Sequence, residues 1–475
     1  MPSRVDGRRT LFVAIAAAFG VVWIYLALRA DVLAFTSDEA ISFRIFHGFV
    51  GAAGRANNQL LNTVLMQWSQ DLFGESELAL RLPNLLAFGL YAAGSLAMLA
   101  SLRRRPAILL GAALLLADPF LLDFFGLARG YGLSLAFAAV ALGALATRTR
   151  SWVRPVLVCG AVVVSFYANF ASLNLVLGVL AALGLEMLWH LRRRQLRALA
   201  TAAPLVVAAA LLVPGVIRLR WLQRTHKLYY GGHTGFLHDT VRSLLEGVGY
   251  RYAAPPAWLT GPEIAVVVVA VAACAWSAYC GVTQRRWGLG QQTALALGIA
   301  VAAAEVEATA LHTLYPLNRT ALSYVLLFAA LVAGAADDRV ATAARARVTR
   351  TVALVSAVCA AAAAANLAYH ANLRYTPAWH YDASSRQVID AAIAYEHAHP
   401  RQGKWRLISG FPRSHALDYY RIRFHLTWLE PMTRAPVSSL RGDLYDVSDA
   451  SLSQLPPGTK LIARFPETNS ELRAR

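Results

Sequence analysis

The chain is poor in charge. Only 15% of its 475 residues are Asp, Glu, Lys or Arg, against about 25% in a typical soluble protein, so an ordinary soluble domain is excluded. It is poor in cysteine. Cys159, Cys274, Cys280 and Cys359 are the only four. All lie inside apolar blocks without metal-ligand spacing, so neither a disulfide nor a zinc site is expected. Acidic residues are scarce as well, 27 against 45 basic ones, for a net charge of +18. That surplus does not point to nucleic acid, which calls for a soluble basic face bearing aromatics. The chain has no Gly-rich phosphate loop, no internal repeat, and no low-complexity stretch beyond an alanine run near residue 360.

What is abundant is apolar sequence, 57% of the chain, in blocks long enough to cross a bilayer. A spanning helix needs about 20 mostly apolar residues, because lipid offers no partner for open backbone groups. Eleven such segments are expected, near 11–30, 83–101, 107–125, 131–147, 153–168, 170–190, 198–217, 263–283, 288–304, 320–336 and 351–370. The short basic loops Arg4–Arg9, Arg103–Arg105, Arg148–Arg154, Arg192–Arg197, Arg285–Arg286 and Arg339–Arg350 all fall on one side of that count. The positive-inside rule makes that side cytoplasmic. The expectation is a multi-pass plasma (inner) membrane protein, N-terminus in and C-terminal domain periplasmic. The first apolar run is a full span without a small-residue cleavage site, and reads as a retained helix.

Four longer segments then face outward: 31–82, 218–262, 305–319 and the tail from about 371. In the first, Leu60, Leu61, Val64, Leu65 and Trp68 recur at helical spacing, as in a helix lying on the membrane. The tail changes character. Asp382–His399 reads as a helix with Val388, Ile389, Ala392 and Ile393 on one face, capped by Asp382 or Ser384. Arg406–Phe411 and Lys460–Phe465 read as short buried strands, the second ended by Pro466. The fold class expected is an all-α polytopic membrane domain, 1–372, followed by a small soluble α/β domain, 373–475.

The outer loops carry the polar chemistry. Asp38 and Glu39 open the first of them, either solvated at the surface or facing a cavity as general base. Asn58 and Asn62 share a helical face, to bind an acceptor or to solvate an interfacial helix. Arg81, Arg129 and Arg319 each stand at an outer membrane boundary. Snorkelling to headgroups is one reading. A lipid phosphate is the other, because the positive-inside bias disfavours idle Arg there. The loop from Arg218 adds Arg224, Lys227, Tyr229 and Tyr230, a solvated basic loop or further contacts to phosphate and sugar.

In their order these features resemble the membrane-embedded GT-C glycosyltransferases that use polyprenyl-phosphate sugars, related to protein O-mannosyltransferases and aminoarabinose transferases. Ser37-Asp38-Glu39-Ala40 is similar to that family's acidic motif. Leu72-Phe73-Gly74-Glu75-Ser76-Glu77-Leu78-Ala79-Leu80-Arg81-Leu82-Pro83 resembles its stretch before the second span. Ala128-Arg129-Gly130-Tyr131 and Tyr315-Pro316-Leu317-Asn318-Arg319, with Tyr324 following, resemble two later motifs. The likeness extends to about residue 335. Asn57-Asn58-Gln59-Leu60 departs from it, where relatives carry a proline-rich stretch.

The resemblance implies a transfer without cofactor or metal, from a polyprenyl-phosphate-linked sugar to an extracytoplasmic glycan, lipid or protein. Asp38 would be the base, with Glu39 and Asp123 as further acidic candidates and Asp118 more suited to making a turn. Arg81, Arg129, Arg319, Arg224 and Lys227 would hold the donor phosphate. Asn58, Asn62, Tyr131, Tyr229 and Tyr324 would line the sugar or acceptor site. A transporter or flippase of lipid-linked sugars is the alternative, and an envelope-assembly scaffold a third. The absence of matching halves disfavours a transporter.

Overall fold

The computed structural model of the chain describes residues 4–49, 59–147, 152–250, 259–284, 287–338, 345–432 and 441–475. Its helices are α1 (Arg4–Val32), α2 (Ser37–Phe46), α3 (Leu60–Phe73), α4 (Glu77–Ala100), α5 (Arg105–Leu116), α6 (Pro119–Asp123), α7 (Gly130–Ala146), α8 (Val153–Ala168) and α9 (Leu173–Arg192). They continue with α10 (Ala202–Arg224), α11 (Arg242–Val248), α12 (Thr260–Gln284), α13 (Leu289–Ala310), α14 (Ser323–Asp337), α15 (Arg345–His370), α16 (Ser385–Ala398) and α17 (Ser414–Arg423). The expected fold class is what forms: apolar helices, then a small sheet. Each expected span contains an apolar helix, but 107–125 is broken at Ala117–Asp118 into α5 and the short α6. Among the described residues, seven (α1, α4, α9, α10, α12, α13 and α15) are long and apolar enough to cross a membrane. The other four (α5, α7, α8 and α14) are shorter apolar helices, so length alone assigns seven crossings rather than eleven.

The start of α4 departs from expectation. Pro83 suits the first turn of a helix, but α4 begins six residues earlier, where the Ser76 hydroxyl accepts the Ala79 N–H at 3.1 Å. Pro83 therefore lies inside the helix and leaves the carbonyl four residues back without its N–H. Ser69 Oγ of α3 donates to that carbonyl, Ala79 O, at 2.5 Å. The early start puts Arg81 on a helix instead of at a loop end. Further along, α4 and α7 touch backbone to backbone. A Cβ on Gly94 would meet the Ala139 carbonyl carbon at 2.5 Å, the close approach that small residues permit between membrane helices.

Helix α3 buries Asn62, Thr63, Met66 and Ser69 and exposes Val64, Trp68 and Leu72. Polar side in and apolar side out is the pattern of a helix resting on a bilayer.

In the tail, α16 buries Val388, Ile389 and Ala392 as its spacing predicts. The sheet has strand order β1 (Leu407–Ser409), β2 (Leu444–Ser448), β4 (Ser470–Ala474), β3 (Lys460–Phe465). β1 runs parallel to β2, and the other pairs are antiparallel. β3 is an edge strand and largely exposed, where a buried strand was expected. Two of the four strands carried no clear signal in the sequence. The tail shares a hydrophobic core with segment 31–82: Phe35, Phe43, Met66 and Leu80 pack with Leu417, Tyr419, Tyr420 and Leu472. Tyr419 stacks on Phe35 at 4.0 Å between ring centres, and the Tyr420 hydroxyl accepts the Phe35 N–H at 2.8 Å.

Candidate active site

The site begins at the first turn of α2. Thr36 caps it: its hydroxyl accepts the Glu39 N–H at 3.3 Å, while a Glu39 oxygen accepts the Thr36 N–H at 2.8 Å. Adjacent residues of a helix point about 100° apart, so this cap separates the two acidic side chains. Glu39 is wholly buried. Its Oε1 and Oε2 take Arg81 Nε and Nη2, both at 2.8 Å, and Oε1 also accepts the Ala128 N–H at 2.5 Å. Arg81 donates onward to the carbonyls of Ala30, Leu33 and Ala34. Burial pushes the Glu39 carboxyl up. The Arg81 charge and the backbone N–H groups outweigh that and hold it below the usual range. Glu39 and Arg81 were expected among base and phosphate contacts. The structure pairs them with each other, at a joint between α1, α2, α4 and the turn before α7.

Asp38 points elsewhere. Its Oδ2 lies 3.6 Å from Arg129 Nη2 and 3.6 Å from Arg319 Nη2. Arg129 Nη1 also donates to the Asp38 carbonyl at 3.1 Å. Three expected residues from three distant segments thus converge, two guanidiniums on one carboxylate oxygen.

A set of amides fixes Arg129. Gln59 Oε1 accepts the Gly130 N–H at 2.7 Å, and Asn62 Nδ2 donates to Ala128 O at 3.0 Å. Asn84 Nδ2 donates to Asn62 Oδ1 at 2.7 Å and its oxygen accepts the Leu133 N–H at 3.2 Å. A Cβ on Gly130 would sit 2.1 Å from Ala168 O, so the turn tolerates only glycine there. Asn62, expected to contact sugar or acceptor, is fully buried and holds this turn instead. Asn58 lies outside the described residues. Tyr131 packs beneath Arg129, its ring centre 5.9 Å from the guanidinium carbon.

Arg319 comes from the short helical turn Asn318–Ala321. Its guanidinium carbon is 4.3 Å from the ring centre of Tyr230 and 5.1 Å from that of Trp379. Gly232 and Tyr315 exchange two backbone hydrogen bonds of 2.9 Å, which tie the Tyr230 loop to the segment before Arg319. Tyr229, the expected contact, is 79% exposed. Arg224 and Lys227 are exposed at the end of α10 and just beyond it. None of these three shares a described contact with Asp38. Tyr324 is buried in the first turn of α14, where its hydroxyl donates to Ala300 O at 3.1 Å. Asp123 is also away from the site. It pairs with Arg29 at 3.0 Å and accepts the Tyr250 hydroxyl at 2.7 Å. Asp118 makes the expected turn, accepting the Phe120 and Leu121 N–H groups.

Two tail residues complete the constellation, and neither was foreseen there. Trp379 and Asp382 lie on the turn Pro377–Asp382. Asp382, expected as a candidate cap for α16, instead accepts the Ser37 N–H at 2.6 Å and the Ser37 hydroxyl at 2.7 Å. Sequence offered no signal for either role, since each depends on residues distant in the chain: Ser37 for Asp382, Phe124 and Arg319 for Trp379. Burial pushes the Asp382 carboxyl up to about 7; the Ser37 hydrogen bonds and Arg413 oppose this, and Asp38 reinforces it. A raised carboxyl means the docked state holds its proton more tightly than the free chain. That stabilisation is full below pH about 3.8 and is lost as pH rises to about 7. Amide protection of residues 377–382, corrected for intrinsic exchange, should therefore be greater at pH 5 than at pH 7.5 by hydrogen–deuterium exchange. Equal protection would show that Asp382 does not titrate there.

A scan against protein-family models finds no match, and a search of curated proteins finds none. Among solved structures, the crystal structure of ArnT from Cupriavidus metallidurans in the apo state is similar with a TM-score of 0.56 and 16% identity, over 99% of this chain and 98% of that one. The same protein bound to undecaprenyl phosphate is similar with a TM-score of 0.55 and 16% identity, over 98% of each chain. At that identity the likeness carries the fold, and the chain is a multi-pass membrane protein of the GT-C architecture along nearly its whole length.

Proposed function

We propose that this protein is an integral-membrane glycosyltransferase, moving a sugar from a polyprenyl-phosphate donor to an acceptor outside the cytoplasm. The observation that carries the reading is the convergence of Arg129 and Arg319 on Asp38. At 3.6 Å these contacts are looser than the roughly 2.7–2.9 Å of a charge-assisted hydrogen bond. A lipid phosphate offers several anionic oxygens and competes well for both guanidiniums. Fold likeness to a protein crystallised with undecaprenyl phosphate supports a donor of that class.

In the reaction, the acceptor hydroxyl oxygen bonds to the anomeric carbon as its proton passes to the Asp38 carboxylate. The bond from that carbon to the phosphate oxygen breaks, and polyprenyl phosphate leaves with the electron pair. Arg129 and Arg319 oppose the charge growing on it. With the basic loops cytoplasmic, this chemistry faces outward.

Comparing envelope glycans and lipids of a knockout with wild type by mass spectrometry tests the activity: one sugar modification should vanish. Arg319→Ala should weaken undecaprenyl phosphate binding about 10- to 100-fold, the scale of a hydrogen bond to a charged group. Unchanged affinity in a direct binding titration would remove Arg319 from the phosphate site.

A further inference from the structure

The tail enters the candidate site through one short segment. The chain leaves α15 at His370 and is caught at once. Arg29, paired with Asp123, donates to the carbonyls of Asn372 and Tyr375. The Asn372 side chain in turn accepts the Arg374 and Tyr375 N–H groups at 3.0 Å. This anchor feeds directly into Pro377–Asp382. There Trp379, 2% exposed, packs against Phe124 on one side and Arg319 on the other, with centres 6.0 Å and 5.1 Å away. Three residues on, Asp382 grips the residue next to Asp38 through two hydrogen bonds. The far end of the segment is tied to the turn between β3 and β4, because Thr468 donates to Ser384 at 3.0 Å.

We infer that Trp379 and Asp382 are positioning residues of the transfer site, so that the tail sets the geometry of both halves of the chemistry. This rests on the function proposed above. Trp379 and Tyr230 flank the Arg319 guanidinium with two ring faces. That arrangement limits where Arg319 can aim, and ring faces attract a guanidinium in a desolvated site. Asp382 acts on the other half. It fixes the first turn of α2, and hence the direction from which Asp38 meets an acceptor hydroxyl. Small displacements of a reacting group are costly to rate. The Arg29–Asp123–Tyr250 cluster serves the same end at one remove, by holding the chain that carries both residues.

The two roles separate in measurement. Purified full-length protein is titrated with undecaprenyl phosphate, and cells carrying each variant are assayed for the product missing from the knockout. Trp379→Leu should weaken undecaprenyl phosphate binding about tenfold, while Trp379→Phe, which keeps a ring face, should stay within about threefold of wild type. Asp382→Ala should lower product at least about tenfold with donor affinity within about twofold. Equal affinity of Trp379→Leu and wild type would overturn the role of Trp379. Parallel loss of affinity and product in Asp382→Ala, together with a lowered melting temperature, would make Asp382 a structural residue and overturn its role. Arg319→Ala is the control. If it too binds as wild type does, the phosphate reading falls along with this one. If it loses binding while Trp379→Leu does not, only the inference about the tail falls.

Discussion

Asp38→Asn should leave a folded, membrane-inserted protein whose transfer activity is lower by about 10²- to 10⁴-fold, the usual contribution of a positioned general base. The substitution is isosteric and removes one charge. It leaves the backbone contact from Arg129 to the Asp38 carbonyl in place. The cap of α2 is also untouched, because Thr36 and Glu39 form it. The two arginines would lose one shared carboxylate charge. Donor phosphate should therefore bind as well as in wild type or better. That split, product lost and donor binding kept, is the signature of a base. It is read by mass spectrometry of the envelope product alongside a titration with undecaprenyl phosphate. Full activity in Asp38→Asn would remove Asp38 from the chemistry.

The neighbouring carboxylate should behave in the opposite way. Glu39→Ala leaves the buried Arg81 guanidinium, among the described residues, with hydrogen bonds to carbonyls alone, and also removes the acceptor for the Thr36 and Ala128 N–H groups. Breaking a buried ion pair from one side costs about 3–5 kcal/mol. A loss of that size is comparable to much of a domain's net stability. The expected outcome is a strongly lowered melting temperature in detergent, and little protein recovered from membranes. Activity per folded molecule is not the informative reading here. A Glu39→Ala protein that melts like wild type would show that the pair does not hold the joint between α1, α2 and α4. The contrast between two adjacent acidic residues, one lost in activity and the other in stability, tests the site more sharply than either alone.

Much of the architecture is legible in the sequence because the membrane constrains it so strongly. Apolar length marks the helices, and each expected segment holds one. Arg129, Arg319 and Asp38 were also legible as candidates, because charge at a membrane boundary is costly unless it has a role. What sequence did not resolve is which candidates face one another. Asp38 and Glu39 look equivalent as text. So do Arg81 and Arg129, or Tyr229 and Tyr230, of which only Tyr230 lies against Arg319. Asn62 has the chemistry to bind a sugar, but it faces the backbone turn at Ala128.

Composition and spacing, then, determined that this is a multi-pass membrane protein with its polar chemistry gathered in a few loops, because lipid rejects any other arrangement of such a chain. Tertiary structure alone decided that Asp38, Arg129 and Arg319 meet, that Glu39 and Arg81 neutralise each other out of reach, and that Trp379 and Asp382 of the tail close the group. The reason is physical. Partition into lipid depends on local residue content and can be summed along the chain. Pairing of charges depends on directions of side chains a few ångströms apart, set by caps, close glycine contacts and amides from segments hundreds of residues away.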